Sequence, residues 1–148
     1  MPARPGVRHR TIPLWAKALL LGIGYVVAAE LGNLLSVQQT FSTFWPPAGL
    51  FMAMLLISER KDWPVLILAG IAGNLCSDLL HGRALLVTMG FSSANAVEAV
   101  LGALLVATLI GMRPKLDSLR QAFAFTAVGA VLPPLVGAGI GASVVAAS

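Results

Sequence analysis

The run LWAKALLLGIGYVVAAELGNLLSV, Leu14 to Val37, decides the fold. It holds one cation, Lys17, near its start and one carboxylate, Glu30, near its end, and is otherwise apolar or small all round. A helix on a soluble core keeps one polar face, and this run has none. At ~1.5 Å of rise per residue it is long enough to cross a hydrocarbon layer about 30 Å thick. Arg4, Arg8 and Arg10 precede it as the basic end of a signal peptide would. The run is too long for such a peptide's apolar stretch, and no small-residue cleavage site leads from it into polar sequence, so it reads as a retained first helix.

Four further apolar runs follow: Phe44 to Ser58, Trp63 to Leu80, Leu85 to Met112, and Ala122 to Ala147. The second is short, but counted from Phe41 it reaches 18 residues. Pro46-Pro47 suits its helix start, where a missing N–H costs nothing. Pro133-Pro134 falls inside the fifth run and predicts a kink or a break into two half-helices. Of 148 residues 57% are hydrophobic and 11% charged, with mean hydropathy +0.87, so the surface must be solvated by lipid. The expected fold is an all-α, polytopic transmembrane helical bundle of about five spans. A basic tail, residues 1–13, precedes a membrane domain at 14–148. The last run ends at Val144-Val145-Ala146-Ala147-Ser148 with no polar flank, which suggests one part of a larger domain.

The cations order the topology. Arg4, Arg8, Arg10 and Lys17 lie at the start of the first span, Arg60 and Lys61 between the second and third, and Arg113, Lys115 and Arg120 between the fourth and fifth. Alternating spans bring all of these to one side and leave only Arg83 on the other. The positive-inside rule makes the populated side, with the N-terminus, cytoplasmic. Trp15 and Trp63 then mark the inner interface and Trp45 the outer one. The net charge of +4 therefore belongs to topology and implies no nucleic-acid partner.

Soluble enzyme chemistry finds no foothold. Cys76 is the only cysteine, so no intramolecular disulfide or thiolate cluster can form. His9 and His81 lack metal-ligand partners at useful spacing, and there is no phosphate-binding glycine loop or nucleophile elbow. No catalytic residue, metal or cofactor is expected.

The informative residues are the acids within the spans. Glu59, Asp62 and Asp117 lie in the links, but Glu30, Asp78 and Glu98 lie inside apolar runs. A carboxylate there must be neutralised, paired or hydrated, which makes it a functional-site hypothesis. Each has an asparagine one turn away: Glu30 with Asn33, Asp78 with Asn74, Glu98 with Asn95. Spacings of three and four residues place both members on one helical face. No basic residue falls inside a span beside these acids, so no ion pair is expected within the membrane. Glu30, Asn33, Asn74 and Asp78 fall within roughly 10 Å of the outer helix ends, and Asn95 and Glu98 at roughly 15–20 Å. The expectation is a hydrated, outward-open cavity lined by the first, third and fourth spans, with Ser92 and Ser93 near its rim, taking an unknown small ligand or a proton. The plainer alternative is that these groups glue helices together at about 0.6 kcal/mol per contact. Ala69 with Gly73, and Gly137 with Gly141, form small-residue pairs suited to close helix contact within the bundle, with a homodimer as the alternative.

Phe44-Trp45-Pro46-Pro47-Ala48-Gly49-Leu50 resembles the signature of the bacterial membrane-associated sensor domain of the first class (MASE). The likeness continues through Arg60-Lys61-Asp62-Trp63-Pro64, Gly73-Asn74-Leu75 with Asp78, and Asn95-Ala96-Val97-Glu98-Ala99-Val100-Leu101-Gly102-Ala103. The resemblance implies a non-enzymatic sensory region in the bacterial inner membrane, with Trp45, Pro46, Pro47 and Gly49 as a structural motif. It also implies a cytoplasmic histidine kinase, diguanylate cyclase or phosphodiesterase output module, none of which is in this sequence. The family's domain has about eight spans, so the chain reads as its first part. The competing reading is a small transporter or channel subunit whose carboxylates couple protons or ions. A third is a scaffold that recruits partners.

Overall fold

The computed structural model describes residues 12–35, 45–112, 114 and 117–147. The basic cluster at Arg4, Arg8 and Arg10, the link from Gln38 to Thr43, and Arg113 and Lys115 lie outside the described residues. The elements, in order, are α1 (Leu14–Leu34), α2 (Pro46–Ile57), a single 3-10 turn (Arg60–Asp62), α3 (Trp63–Leu80), α4 (Leu85–Leu109), α5 (Leu119–Phe125), a π-helical segment (Thr126–Val131) and α6 (Leu132–Ala146). No strand occurs among the described residues.

Four segments are long and apolar enough to cross a membrane: α1, the 3-10 turn with α3, α4, and the continuous run Leu119–Ala146. The second expected span is shorter than anticipated. Its helix has 12 residues, or about 18 Å at ~1.5 Å each. Both ends have local causes. Pro46 disfavours helical backbone in the residue before it, and Trp45 is held at φ −119°, ψ 81°. Ser58 turns extended, at φ −101°, ψ 158°, as the chain enters the polar Glu59-Arg60-Lys61-Asp62 link.

The proline pair in the fifth run produces a π segment rather than a break. Pro133 and Pro134 lack N–H groups, and the helix carries them in the first turn of α6, where they cost least. The turns just before them are widened to π geometry, so the helical path continues from Leu119 to Ala146.

Contacts at the helix ends set the directions. Lys17 Nζ meets Asp62 Oδ2 at 3.0 Å, bringing the start of α1 to the turn before α3. Near the other end, Ser77 of α3 bonds to Glu30 of α1. These two helices therefore run parallel, with α2 returning between them. α6 runs antiparallel to α4, since a Cβ on Gly90 would meet Val144 and one on Gly137 would meet Glu98.

The core is where these helices face one another: Leu21 and Tyr25 of α1, Phe51 and Leu55 of α2, Leu66 of α3, Ala99, Ala103 and Val106 of α4. Tyr25 and Phe51 meet edge to face, with ring centroids 6.2 Å apart. The opposite stripe of α1, at Leu19, Leu20, Ile23 and Val27, is more than half exposed. A helix that is apolar on its outward face as well as its inward one is a lipid-facing helix. Ala69 and Gly73 serve the α1–α3 contact: a Cβ on Gly73 would stand 2.8 Å from Tyr25 Cβ and 2.9 Å from the Gly22 carbonyl oxygen, and one on Gly22 would meet the Ala69 carbonyl at 3.7 Å.

Candidate functional site

Because Gly73 lets α1 come this close, the neighbouring Asn74 can reach across helices. Its side chain is 2% exposed. Asn74 Oδ1 accepts from the Tyr25 hydroxyl at 2.6 Å and from Asn95 Nδ2 at 2.7 Å. Its Nδ2 donates to Ser92 Oγ at 2.9 Å and to Asp78 Oδ2 at 3.0 Å. A carboxamide has two acceptor and two donor sites, and all four are filled. One side chain thus ties α1, α3 and α4 together.

A second layer lies toward the end of the bundle that carries Arg83. Ser77 Oγ donates to Glu30 Oε1 at 3.3 Å. His81 Nε2 stands 3.4 Å from Glu30 Oε2, and His81 Nδ1 stands 2.9 Å from the Ser77 carbonyl oxygen. Both ring nitrogens face acceptors, an arrangement that the imidazolium satisfies completely with two N–H donors. Arg83 Nε lies 3.5 Å from Asp78 Oδ1, and its guanidinium sits 5.3 Å from the centre of the Phe91 ring.

Against expectation, therefore, Asp78 has a cationic partner in Arg83, and Glu30 faces the imidazole of His81. Neither partner lies inside a span: His81 and Arg83 sit just past the end of α3 and turn back onto it. The intrahelical pairings also differ from the spacing argument. Asn74 does bond to Asp78, but Asn95 turns to Asn74 and away from Glu98, and Asn33 makes no side-chain hydrogen bond among the described residues. Between α1, α3 and α4 the side chains of Tyr25, Asn74, Asp78, Ser92 and Asn95 are bonded to one another. Ser92 is inside the network, whereas Ser93 is exposed and returns its hydroxyl to the Met89 carbonyl.

Glu98 stands apart. It is half-buried, on the wall of a cavity of about 1110 Å³ between α2, α4, the π segment and the start of α6. Trp45, Pro46 and Gly49 line the same cavity, while Pro47 is buried in the helix packing. Of the six expected site residues, Asn74, Asp78 and Asn95 share one network, Glu30 belongs to the adjacent layer with Ser77 and His81, and Glu98 and Asn33 join neither.

Sequence reasoning did not single out Tyr25 or Ser77. A signal existed for Tyr25: it is the only tyrosine, set in the middle of an apolar span, and a buried phenol needs a partner for its O–H. Ser77 carried no such mark. Four residues before His81 and beside Asp78, it reads as an ordinary small helix residue.

Comparison with known proteins agrees with this architecture. The sequence matches the MASE1 family over residues 16–147. It is similar to the probable diguanylate cyclase DgcE of Escherichia coli K12, at 28% identity over 93 residues. That stretch is 63% of this chain and 8% of the relative, so the chain spans a small fraction of the relative's length. No solved structure matches the chain. A helical membrane bundle with an ordered polar network, matched to one family along almost its whole length, settles the assignment: the chain belongs to the MASE1 family of membrane sensory domains.

Proposed function

We propose that this sensory domain works without catalysis of its own, receiving a small polar ligand or a proton at the α1–α3–α4 network and passing the change to a cytoplasmic output module. The observation that carries this reading is the four-way bonding of Asn74. A fully satisfied buried amide holds three helices in one arrangement, and any species that competes for Tyr25, Asp78, Asn95 or the Glu30–His81 pair favours another. A signal of this kind shifts a pre-existing equilibrium by its differential affinity for the two packings. The inner ends of α1 and α3, joined by Lys17 and Asp62, would then move with their outer ends.

The bacterial inner membrane with the N-terminus cytoplasmic suits the charge pattern. Lys17, Arg60, Lys61 and Arg120 lie at one end of the bundle and Arg83 at the other. The network then lies toward the outer half of the membrane. Linkage to a cyclase is drawn from the relative, a probable diguanylate cyclase. The test joins the full chain to a diguanylate cyclase module and measures cyclic di-GMP in bacterial membranes. Asn74→Leu is expected to lock or unlock output, and Leu68→Ala, at an exposed lipid-facing position, to leave it unchanged. Output equal across both variants in well-expressed, helical protein contradicts the reading.

A further inference from the structure

The cavity beside α2 has a chemistry different from the network's. Among the described residues its wall is apolar side chains and backbone, apart from one ionisable group, Glu98. Glu98 has no hydrogen bond or ion pair among the described residues, and Asn95, one turn before it on α4, is turned to Asn74. Gly137 of α6 makes room beside it: a Cβ there would stand 2.5 Å from Glu98 Oε2. Gly49, by contrast, faces open space, since a Cβ on it meets nothing within 4 Å. Trp45 at one end and Phe125 at the other offer aromatic surface. The volume, about 1110 Å³, is that of a site for a drug-sized organic molecule.

We propose that this cavity binds an apolar organic monocation, with Glu98 as the counter-ion. A carboxylate in a low-dielectric wall is costly unless neutralised or paired, and no protein cation reaches it among the described residues. A ligand that brings one positive charge on a greasy body supplies the missing partner and fills apolar volume at once. Aromatic walls add attraction for the same charge. An anion of identical shape meets an unscreened carboxylate and is rejected. The site borders the Asn74 network, with Trp45 and Glu98 both near Tyr25, but its ligand and the residues that hold it are different, so the proposal goes beyond the sensory reading and does not depend on it.

The test uses the purified full chain in phosphatidylcholine nanodiscs, with tetraphenylphosphonium and tetraphenylborate as probes of one shape and opposite charge. Equilibrium dialysis against empty nanodiscs removes partitioning into lipid. Saturable binding of the phosphonium at one site per chain is expected, with no saturable binding of the borate. Glu98→Gln should weaken phosphonium binding by at least about tenfold. Gly49→Phe, which fills the cavity and leaves Glu98 in place, should abolish it. Leu68→Ala, on the exposed face of α3 and outside the cavity, should leave it unchanged. Phosphonium uptake no greater than in empty nanodiscs overturns the proposal, as does equal binding by the wild type and the Glu98→Gln chain. Saturable borate binding of similar strength also overturns it, since the site would then be a lipid-like hole indifferent to charge. All three outcomes leave the sensory reading standing.

Discussion

Replacing Asn74 by Ala removes four hydrogen bonds at once, three of them between helices: Tyr25 of α1, and Ser92 and Asn95 of α4. Interhelical hydrogen bonds in membrane proteins average about 0.6 kcal/mol, because the unfolded chain in lipid also finds partners. The three together put the loss at roughly 2 kcal/mol. Orphaning the buried Ser92 hydroxyl and the Tyr25 phenol pushes the figure up, toward about 3 kcal/mol. The bond to Asp78 lies within α3 and adds little to helix association. The assay is reversible unfolding in mixed micelles with rising dodecyl sulfate, read by circular dichroism. Tyr25→Phe, which removes a single bond of the set, should cost about 0.6 kcal/mol, well under half the Asn74→Ala value. In a double-mutant cycle the two must be non-additive, because Tyr25→Phe has nothing left to break once Asn74 is gone. A loss below about 0.5 kcal/mol for Asn74→Ala, or strict additivity, would refute the claim that this amide is the hub.

Other substitutions probe separate links. Gly73→Ala forces a Cβ against Tyr25 and the Gly22 carbonyl, and should destabilise by about 1–3 kcal/mol in the same unfolding assay. Gly49→Ala meets nothing and sits inside a helix, so it should stabilise by about 0.5–1 kcal/mol. Lys17→Met leaves Asp62, whose side chain is 11% exposed, without its cation and should cost about 1–3 kcal/mol, whereas Lys61→Met at the exposed Glu59 pair should not register. His81→Gln removes the ring's contacts to Glu30 and to the Ser77 carbonyl, and because the Glu30–His81 pair is partly exposed the loss in the same assay should stay below about 1 kcal/mol.

The helices were legible because lipid solvation is a matter of composition. Trp63–Leu80 begins and ends where its apolar run does, and Leu85–Leu109 departs from its run only at the last turn. α2 was harder: apolarity extends on both sides of it, but Pro46 and the turn at Ser58 fix its ends by backbone geometry. The acids and amides were visible because their cost in lipid marks them. Their partners were not, since a helical period says which residues share a face and nothing about which helix that face meets. Asn95 and Glu98 illustrate this. Three residues apart, they project from α4 into different surroundings, one toward Asn74 and one toward Gly137. The ion pairs escaped notice for a related reason: His81 and Arg83 are loop residues by position, and only a chain turning back at Gly82, with φ +70°, brings them over Glu30 and Asp78.

The central claim is that the network near the Arg83 end governs the packing of the helices at the other end. Spin labels at Trp15 and Val65, both exposed near the inner ends of α1 and α3, report it directly by pulsed electron resonance on the full chain in nanodiscs with Cys76 replaced by Ser. The account predicts that Asn74→Asp, which keeps the size but removes both donors, shifts or broadens the Trp15–Val65 distance by about 1–2 Å, the scale of helix movements in switching proteins. A distance distribution identical to that of unsubstituted Asn74 would contradict it.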